Sequence, residues 1–426
     1  MKHATQTARQ DLAAAEPMGQ MADHGEHIAP APRVSVQAFC ENVDTAAAVQ
    51  AAGEDRRLAK AHLRIQMGGL AAAIEAYKNA PTPNVVMLET ESRGEEILAG
   101  LDTLAEYCDT GTRVIVIGRM NDVMLYRELV KRGVSDYLIS PVGVLQVVRA
   151  ICGLFSAPDA KPVGRIVAVV GAKGGVGAST LAHNIAFSIA RDLTLDAVVT
   201  DLDLAFGTAG LDFNKDPPQG IAEAVFSPDR IDSAFVDRLL AKCTDHLNLL
   251  AAPATLEHVY DFGADAFEAI FDTLRATVPC VVLDVPHQWT GWTKQTLIGA
   301  DDVLIVAAPD LANLRNTKNI FDFLKAARPN DHKPRYCLNQ VGVPKRPEIK
   351  AADFAKALDG EPMAIIPFEP QLFGAAANNG QMIAEISASH KTAQLFRMLA
   401  QHLTGRTEPK RQRPGLLSPL LEKLLG

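Results

Sequence analysis

The segment Gly-Ala-Lys-Gly-Gly-Val-Gly-Ala-Ser-Thr at residues 171–180 constrains the fold more than any other part of the chain. It follows the β-branched run IVAVV at 166–170, which predicts a buried parallel strand, and it precedes a run of helix-forming composition at 181–190. Glycines at such a junction let backbone N–H groups converge on anionic oxygens, and the helix N-terminus adds partial positive charge. The order strand, glycine loop, helix predicts a nucleotide-phosphate site rather than a plain structural turn.

Composition sets the frame around this loop. A chain of 426 residues with 48% apolar residues predicts two or three globular domains. Its net charge of −8 gives no support for generic binding of nucleic acid. Six widely spaced cysteines without metal-ligand spacing predict reduced thiols. No apolar run is long enough to span a bilayer, so we expect a cytoplasmic protein whose membrane contact, if any, is peripheral.

The hydropathy pattern divides the chain into five parts. Residues 1–32 are predicted to be a flexible leader, 156–164 a linker rich in proline, and 406–426 a basic, leucine-rich tail. Between them, 33–155 and 165–405 each alternate strand and helix patterns, which predicts two doubly wound α/β domains with mostly parallel sheets. The predicted strands are 33–39, 84–88, 113–117 and 133–139 in the first domain and 166–170, 197–200, 247–250, 281–283, 302–307, 335–339 and 364–366 in the second.

Carboxylates end two of the strands in the second domain. Asp201 and Asp203 are spaced by two, so on an extended chain they would project from the same side and hold Mg²⁺ through water or orient an attacking water. Asp284 closes the apolar strand CVVLD, which is the Walker B pattern for a Mg²⁺ ligand acting through water.

In this order, the motifs resemble those of the deviant Walker A ATPases, the MinD/ParA superfamily. The resemblance implies that Lys173 reaches across a nucleotide-linked homodimer to the partner's phosphates, that Asp203 positions water and that Asp201 supports it. It implies that ATP and Mg²⁺ are the cofactors, with Ser179 and Asp203 near the metal. The predicted cofactor-binding residues of the loop are Gly174, Gly175, Val176, Gly177, Ala178, Ser179 and Thr180.

One position departs from the superfamily. The lysine that ordinarily precedes the Ser/Thr pair is Ala178, so one cation is missing beside the β/γ-phosphates. We therefore expect weak or slow ATP hydrolysis. The resemblance also implies an adenine contact by Asn339 and a turn beside the base at Pro367. An ordinary strand-end cap is the alternative for Asn339.

The first domain resembles a flavodoxin-like response-regulator receiver, through PNVVMLE at 83–89 and GVSDYLISP at 133–141. Its chemistry is missing: the acceptor aspartate is Glu89, the expected lysine is Ser140, and the switch hydroxyl is Gly118. A longer carboxylate without the lysine is misplaced for phosphoryl transfer. We expect a pseudo-receiver that docks partners and takes no phosphate.

A receiver-like domain ahead of such an ATPase resembles the CpaE/TadZ pilus-assembly family. The resemblance implies a cytoplasmic ATPase, often located at the cell pole or the inner face of the membrane, that helps to site the Flp/Tad pilus machinery. Its partners would be secretion-machinery proteins or a polar landmark. Two other interpretations stay open: a ParA-type DNA-partitioning ATPase and a non-catalytic nucleotide-binding scaffold. The tail either packs on protein or makes a peripheral membrane contact.

Overall fold

The computed structural model describes residues 27–92, 94–156 and 163–406. Two α/β domains make up this part of the chain, each built on its own sheet. The predicted tail beyond Arg406, the leader before His27 and most of the linker lie outside the described residues. Within them, no helix is both long and apolar enough to cross a membrane.

The first domain is a five-stranded parallel sheet in the order β2-β1-β3-β4-β5, with helices between the strands, as a flavodoxin-like fold requires. Its elements are β1 Val34–Cys40, α1 Val43–Gly53, β2 Ala61–Met67, α2 Gly69–Tyr77, β3 Val85–Glu89, α3 Glu95–Ala105, β4 Arg113–Gly118, α4 Val123–Lys131, β5 Val134–Ile139 and α5 Val144–Gly153. Strand β2 was not predicted from the sequence, because it is an edge strand in which half-buried and exposed side chains alternate and none is fully buried.

The second domain has eight strands in the order β13-β12-β11-β6-β10-β7-β9-β8, and only the short β8 runs antiparallel. Its strands are β6 Arg165–Gly171, β7 Ala197–Asp201, β8 Ala241–Lys242, β9 Leu247–Leu250, β10 Cys280–Val285, β11 Asp302–Ala307, β12 Arg335–Val341 and β13 Ala364–Pro367. Its helices are α6 Ala178–Asp192, α7 Ala209–Asp212, α8 Ile221–Val225, α9 Ser233–Leu239, α10 Glu268–Thr277, α11 Gly291–Gly299, α12 Leu311–Ala327, α13 Ala351–Leu358, α14 Pro370–Asn379, α15 Ile383–Ile386 and α16 Lys391–Thr404.

Both faces of the second sheet are buried. Along β6, Val167 and Val169 enter one core with α6 and α16, while Ile166, Ala168 and Val170 enter the other. Side chains of a strand alternate between faces, so a strand covered on both sides is apolar at every position. This explains the unbroken apolar runs of the sequence and confirms the predicted fold class.

The domains meet at the edge of the second sheet where the parallel strands begin. Arg56 pairs with Asp331 at 2.6 Å and with Asp301 at 3.3 Å, and Arg57 pairs with Asp331 at 2.9 Å. We call this buried set the arginine–aspartate clamp; its members are Asp55, Arg56 and Arg57 of the first domain and Arg275, Asp301, Arg328 and Asp331 of the second.

The end of the predicted leader also lies against this interface. The Ala31 N–H donates to the Arg57 carbonyl at 2.8 Å, and His27 Nε2 lies 3.2 Å from Asp301 Oδ2. Asp301 directly precedes β11, whose far end adjoins the glycine loop, since the Ala172 N–H donates to the Val306 carbonyl at 2.8 Å. The clamp therefore lies at the edge of the second sheet opposite to the one that carries the glycine loop.

Candidate functional site

The glycine loop leaves β6 at Gly171 and ends where α6 begins at Ala178. Gly175 and Gly177 have φ of +79° and +85°, in the left-handed region that glycine adopts without strain. A Cβ at Gly174 or Gly175 would meet no atom within 4 Å, so the loop is open above these two residues. It forms a cradle of backbone groups at a helix N-terminus, as predicted for phosphate oxygens.

Two residues of β12 support the loop from the side. The Asn339 amide donates to the Val176 carbonyl at 2.8 Å, and the Gln340 amide donates to the Gly175 carbonyl at 2.9 Å. A Cβ at Gly177 would lie 2.6 Å from Asn339 Nδ2, so only glycine fits there without movement. Asn339 thus has a structural partner within the loop, and its contact with an adenine base stays a prediction.

Lys173 and Ala178, the two positions that set the character of the loop, differ in their surroundings. The Lys173 side chain is exposed, and among the described residues it has no ion-pair partner. Ala178 is half-buried, and its methyl group packs against the core. A side chain at 178 therefore starts at the junction of loop and helix, where the ordinary lysine would reach the phosphates.

Asp201 and Asp203 are not equivalent. Strand β7 ends at Asp201, so Asp203 lies in the loop that follows the strand. The fully buried Asp201 carboxylate accepts the N–H groups of Asp203 at 3.1 Å and Ala209 at 3.0 Å. Asp203 is half-exposed and accepts the Phe206 N–H at 3.1 Å. Asp201 organises the loop 201–209, and Asp203 lies on its solvent side.

Asp284 lies beside Asp201 because β10 and β7 are paired in register at these two residues. Burial and the neighbouring Asp284 charge raise the pKa of Asp201 above its usual range, although His183 opposes this. His183, on the buried side of α6, places Nε2 3.3 Å from Asp284 Oδ2 and Nδ1 2.7 Å from Asp212 Oδ2. Oxygen or nitrogen atoms of His183, Asp201 and Asp284 all lie within 4.8 Å of one another.

His183 was not among the residues predicted for the site. It occurs in the run LAHNIAF, which is typical of a helix buried on all sides and contains no motif. A buried histidine four residues after Ser179 shares its helix face, which is the one signal the spacing offered.

Pro367 ends β13, the outermost strand on one side of the sheet, and is exposed. Two strands, β12 and β11, lie between β13 and β6. Parallel strands end at one edge of a sheet, so Pro367 lies at the same edge as the loop.

The residues fit a nucleotide polyphosphate with Mg²⁺. The loop is open where phosphate oxygens would lie, Ser179 is half-buried in the first turn of α6, and two buried carboxylates stand at adjacent strand ends. Hydroxyl and carboxylate oxygens are ligands that Mg²⁺ prefers. His183 Nε2 is buried without a hydrogen bond of good geometry, so the site holds a polar group not yet satisfied.

The first domain closes the corresponding edge of its own sheet. The buried Glu89 carboxylate accepts the N–H groups of Glu41 and Asn42, each at 2.8 Å, and the Thr45 hydroxyl at 2.6 Å. Glu89 therefore holds the turn that leads into α1, whose N-cap is Asn42. The Tyr137 hydroxyl occupies the space that a side chain at Gly118 would need. These contacts give a structural reason to expect no phosphate there.

The comparisons with known proteins agree with this geometry. The model of the AAA domain family matches residues 164–333. The chain is 25% identical to the septum site-determining protein MinD of Synechocystis over 163 residues. These residues make up 38% of this chain and 60% of that protein. The chain therefore spans less than two thirds of this curated relative. The solved MinD of Pyrococcus horikoshii, complexed with Mg-ADP, shares the fold, with a TM-score of 0.50, 20% identity and coverage of 56% of this chain and 96% of that one.

A closer match in sequence is the solved pilus assembly protein CpaE of Caulobacter crescentus. The chain is 47% identical to it, with coverage of 30% of this chain and 98% of that one and a TM-score of 0.29. Identity at this level over nearly the whole of the solved chain indicates common ancestry. The chain belongs to the CpaE family of MinD/ParA-type P-loop proteins.

Proposed function

We propose that the chain is an ATP-binding, ATP-dependent dimerising assembly and localisation factor for a Flp/Tad-type pilus, with weak or slow hydrolysis. The observation that carries this proposal is the open glycine loop beside two strand-end carboxylates, in a chain of the CpaE family. The pilus role derives from the CpaE relative named for pilus assembly.

In the proposed site, the backbone of Gly174, Gly175 and Gly177 binds phosphate oxygens. Ser179 contributes its hydroxyl to Mg²⁺, and Asp284 holds the metal through water. Bound Mg²⁺ would neutralise charge on the β- and γ-phosphates. The half-exposed Asp203 orients the attacking water. The bound Mg-ADP of the P. horikoshii MinD supports this assignment of ligand class.

Weak hydrolysis follows from Ala178. A lysine at this position would place a cation against the phosphates, where charge develops in the transition state. Lys173 is then the one lysine of the loop 171–180, and its exposed side chain could reach a partner chain. Hydrolysis of ATP would then depend on dimer formation. Such a protein would switch slowly between a monomer and an ATP-bound dimer rather than consume ATP rapidly.

We call the edge of the second sheet that carries the glycine loop, Asp201 and Asp284 the nucleotide edge. Its exposed side chains support dimerisation through this edge. Several large apolar side chains in segments that follow β7, β10 and β11 are more than half exposed: Phe206 at 72%, Leu211 at 74%, Trp289 at 58% and Leu311 at 73%. Parallel strands end at the same edge of a sheet, so these side chains follow strand ends at the edge that also carries the loop. Exposed apolar groups concentrated on one edge are typical of an interaction surface.

The first domain is proposed to dock the pilus machinery or a polar landmark. Its helix α4 exposes Val123, Met124, Tyr126 and Val130. The clamp fixes this domain at the edge away from the nucleotide site, so it would stay accessible when two nucleotide edges are joined. A non-catalytic scaffold is the second candidate, and Ala178 is the observation that favours it.

Size-exclusion chromatography and phosphate release, each with ATP and Mg²⁺, test the proposal on the full chain. The wild type should dimerise with ATP and release phosphate slowly. Lys173→Ala should abolish the dimer, and Asp203→Ala should keep the dimer and lose turnover. Lys242→Ala is the matched control, since Lys242 is an exposed lysine paired with Asp245 on the short β8. A wild type that neither dimerises nor turns over ATP would refute the mechanism; a dimer without turnover would favour the scaffold.

A further inference from the structure

Two side chains hold the first half of the glycine loop, in addition to the two from β12 that hold its second half. The Asn316 amide, in the second turn of α12, donates to the Ala172 carbonyl at 2.9 Å. His287, which follows β10, has its Nδ1 2.9 Å from the Gly171 carbonyl oxygen. A carbonyl oxygen only accepts, so Nδ1 is the protonated nitrogen of this bond. The carbonyls of the two residues before Lys173 are therefore both held.

Peptide geometry converts these bonds into a direction for the amide groups of the loop. In a planar trans peptide, the C=O of one residue and the N–H of the next point in opposite directions. Because Asn316 holds the Ala172 carbonyl, the Lys173 N–H is directed away from the Asn316 side chain. The Ala172 N–H donates to the Val306 carbonyl of β11 at 2.8 Å. Ala172 is thus fixed through both of its backbone groups, and the path of the chain into Lys173 is set without a ligand.

Lys173 is the loop residue that gains most from such support. Its side chain is exposed, and a Cβ at Gly174, directly after it, would meet no atom within 4 Å. A long side chain that binds a second molecule loses conformational freedom, and a backbone that is already held lowers this cost. The bonds made by Asn316 and His287 therefore favour binding events that use Lys173.

Both donors lie in segments that also form the nucleotide edge. Trp289, which is 58% exposed, lies two residues after His287. Leu311, which is 73% exposed, is the first residue of the helix that carries Asn316. The segments that present apolar side chains at the proposed dimer surface thus also hold the backbone before Lys173.

We propose that Asn316 and His287 are positioning residues for Lys173: by holding the Ala172 and Gly171 carbonyls, they fix the backbone from which the lysine extends toward a second copy of the chain. This inference rests on the proposed nucleotide-linked dimer. The two bonds matter for joining two copies and much less for ATP binding by one copy, because the phosphates of that ATP are bound by other N–H groups of the loop.

ATP affinity and ATP-linked dimerisation, measured separately on the full chain with Mg²⁺, test this role. Asn316→Leu keeps the size of the side chain and removes the donor. It should weaken dimerisation by about fivefold or more, the loss expected for one hydrogen bond, and ATP affinity at low protein concentration by less than about threefold. Asn319→Ala is the control, because Asn319 is exposed on the same helix, and it should change neither quantity. Dimerisation of Asn316→Leu like the wild type, or an equal loss of ATP affinity, would overturn the proposal.

A pair of variants at His287 separates the hydrogen bond from the packing of the ring. His287→Ala removes the donor and should weaken dimerisation by about threefold or more. His287→Asn loses the ring but keeps an N–H donor near the position of Nδ1, so its dimerisation should stay within about twofold of the wild type. If His287→Asn dimerised as weakly as His287→Ala, the role assigned to the bond would be wrong.

The backbone of the loop gives a readout that does not depend on the dimer. If the wild type binds no ATP or forms no dimer with it, the proposed function fails, yet the two bonds can still be tested in the ATP-free chain. Hydrogen–deuterium exchange of the amides at 171–178 should be faster in Asn316→Leu and His287→Ala than in the wild type, and unchanged in Asn319→Ala. Exchange as slow as in the wild type in both of the first two variants would overturn the inference.

Discussion

Buried aspartates occur at both edges of the second sheet, but their surroundings are opposite. At the clamp, Asp301 faces Arg56, Arg275 and His27, and although burial alone would raise its pKa, these groups hold the pKa of Asp301 well below its usual range. At the nucleotide edge, burial and the Asp284 charge raise the pKa of Asp201. Four arginines lie against the aspartates of the clamp, whereas His183 is the one cationic side chain that the described residues place against Asp284.

The difference separates a structural site from one prepared for a ligand. A carboxylate with matched arginines is satisfied within the protein and has nothing to offer a metal. Carboxylates short of positive charge, beside an open loop, are a functional-site signature, because a bound cation relieves them. Glu89 in the first domain belongs with the clamp in this respect, since three donors already satisfy its carboxylate.

The largest effect is expected at the clamp. Asp301→Asn leaves Arg56 and Arg275 facing a neutral side chain, and breaking a buried ion pair from one side costs about 3–5 kcal/mol. Urea unfolding should show a lower midpoint and small-angle scattering a more extended particle. Asp272→Asn, which breaks the exposed pair with Lys60, should cost about 0–1 kcal/mol. Equal shifts of the urea midpoint for the two variants would contradict the structural role assigned to the clamp.

The second-largest loss of stability is expected at the closed site around Glu89 in the first domain. Glu89→Gln weakens three hydrogen bonds to a charged acceptor, for which about 1.5–3 kcal/mol of unfolding free energy is expected. Glu91→Gln, which breaks an exposed pair with Arg119, should cost about 0–1 kcal/mol. Neither variant should change ATP affinity. If beryllofluoride perturbed the spectrum of the first domain, the site would be open after all.

Substitutions in the glycine loop should lower the unfolding free energy by less but should strongly weaken nucleotide binding. Gly177→Ala forces a left-handed alanine, at about 1–2 kcal/mol, and sets its Cβ against Asn339. Nucleotide binding should be lost with it. Gly174→Ala has open space and no positive φ, so its unfolding free energy should stay within about 0.5 kcal/mol of the wild type. Thermal unfolding with and without ATP distinguishes the two variants.

The smallest expected effect is a loss of unfolding free energy in mild acid, caused by the carboxylates of the clamp. Asp55, Asp301 and Asp331 each have a lowered pKa, so they stabilise the fold above the unfolded-state pKa near 4 and lose that contribution as the pH falls below it. At pH 4 the three together should have lost about 1 kcal/mol of unfolding free energy relative to pH 7. The loss should shrink in Asp301→Asn; an unchanged acid response in that variant would show that other carboxyls dominate.

The sequence predicted those features that repeat locally along the chain. The glycine loop, the strand-end Asp284 and the β-α alternation each lie within a few consecutive residues, and the structure has the loop and both carboxylates together. The clamp was not predicted, because Arg56 and Asp331 are far apart in the chain and occur in short polar segments without a sequence motif. His183 was missed for a related reason: its partners come from α7 and β10, and only the folded sheet brings them to α6.

Isothermal titration of the full chain with ATP and Mg²⁺ tests most directly whether the nucleotide edge is prepared for a ligand. The wild type should bind, Ser179→Ala should bind at least tenfold more weakly because it lacks the metal-ligating hydroxyl, and Asp272→Asn should match the wild type. A wild type that binds no ATP, or a Ser179→Ala variant that binds it equally well, would contradict the assignment of this edge as the functional site.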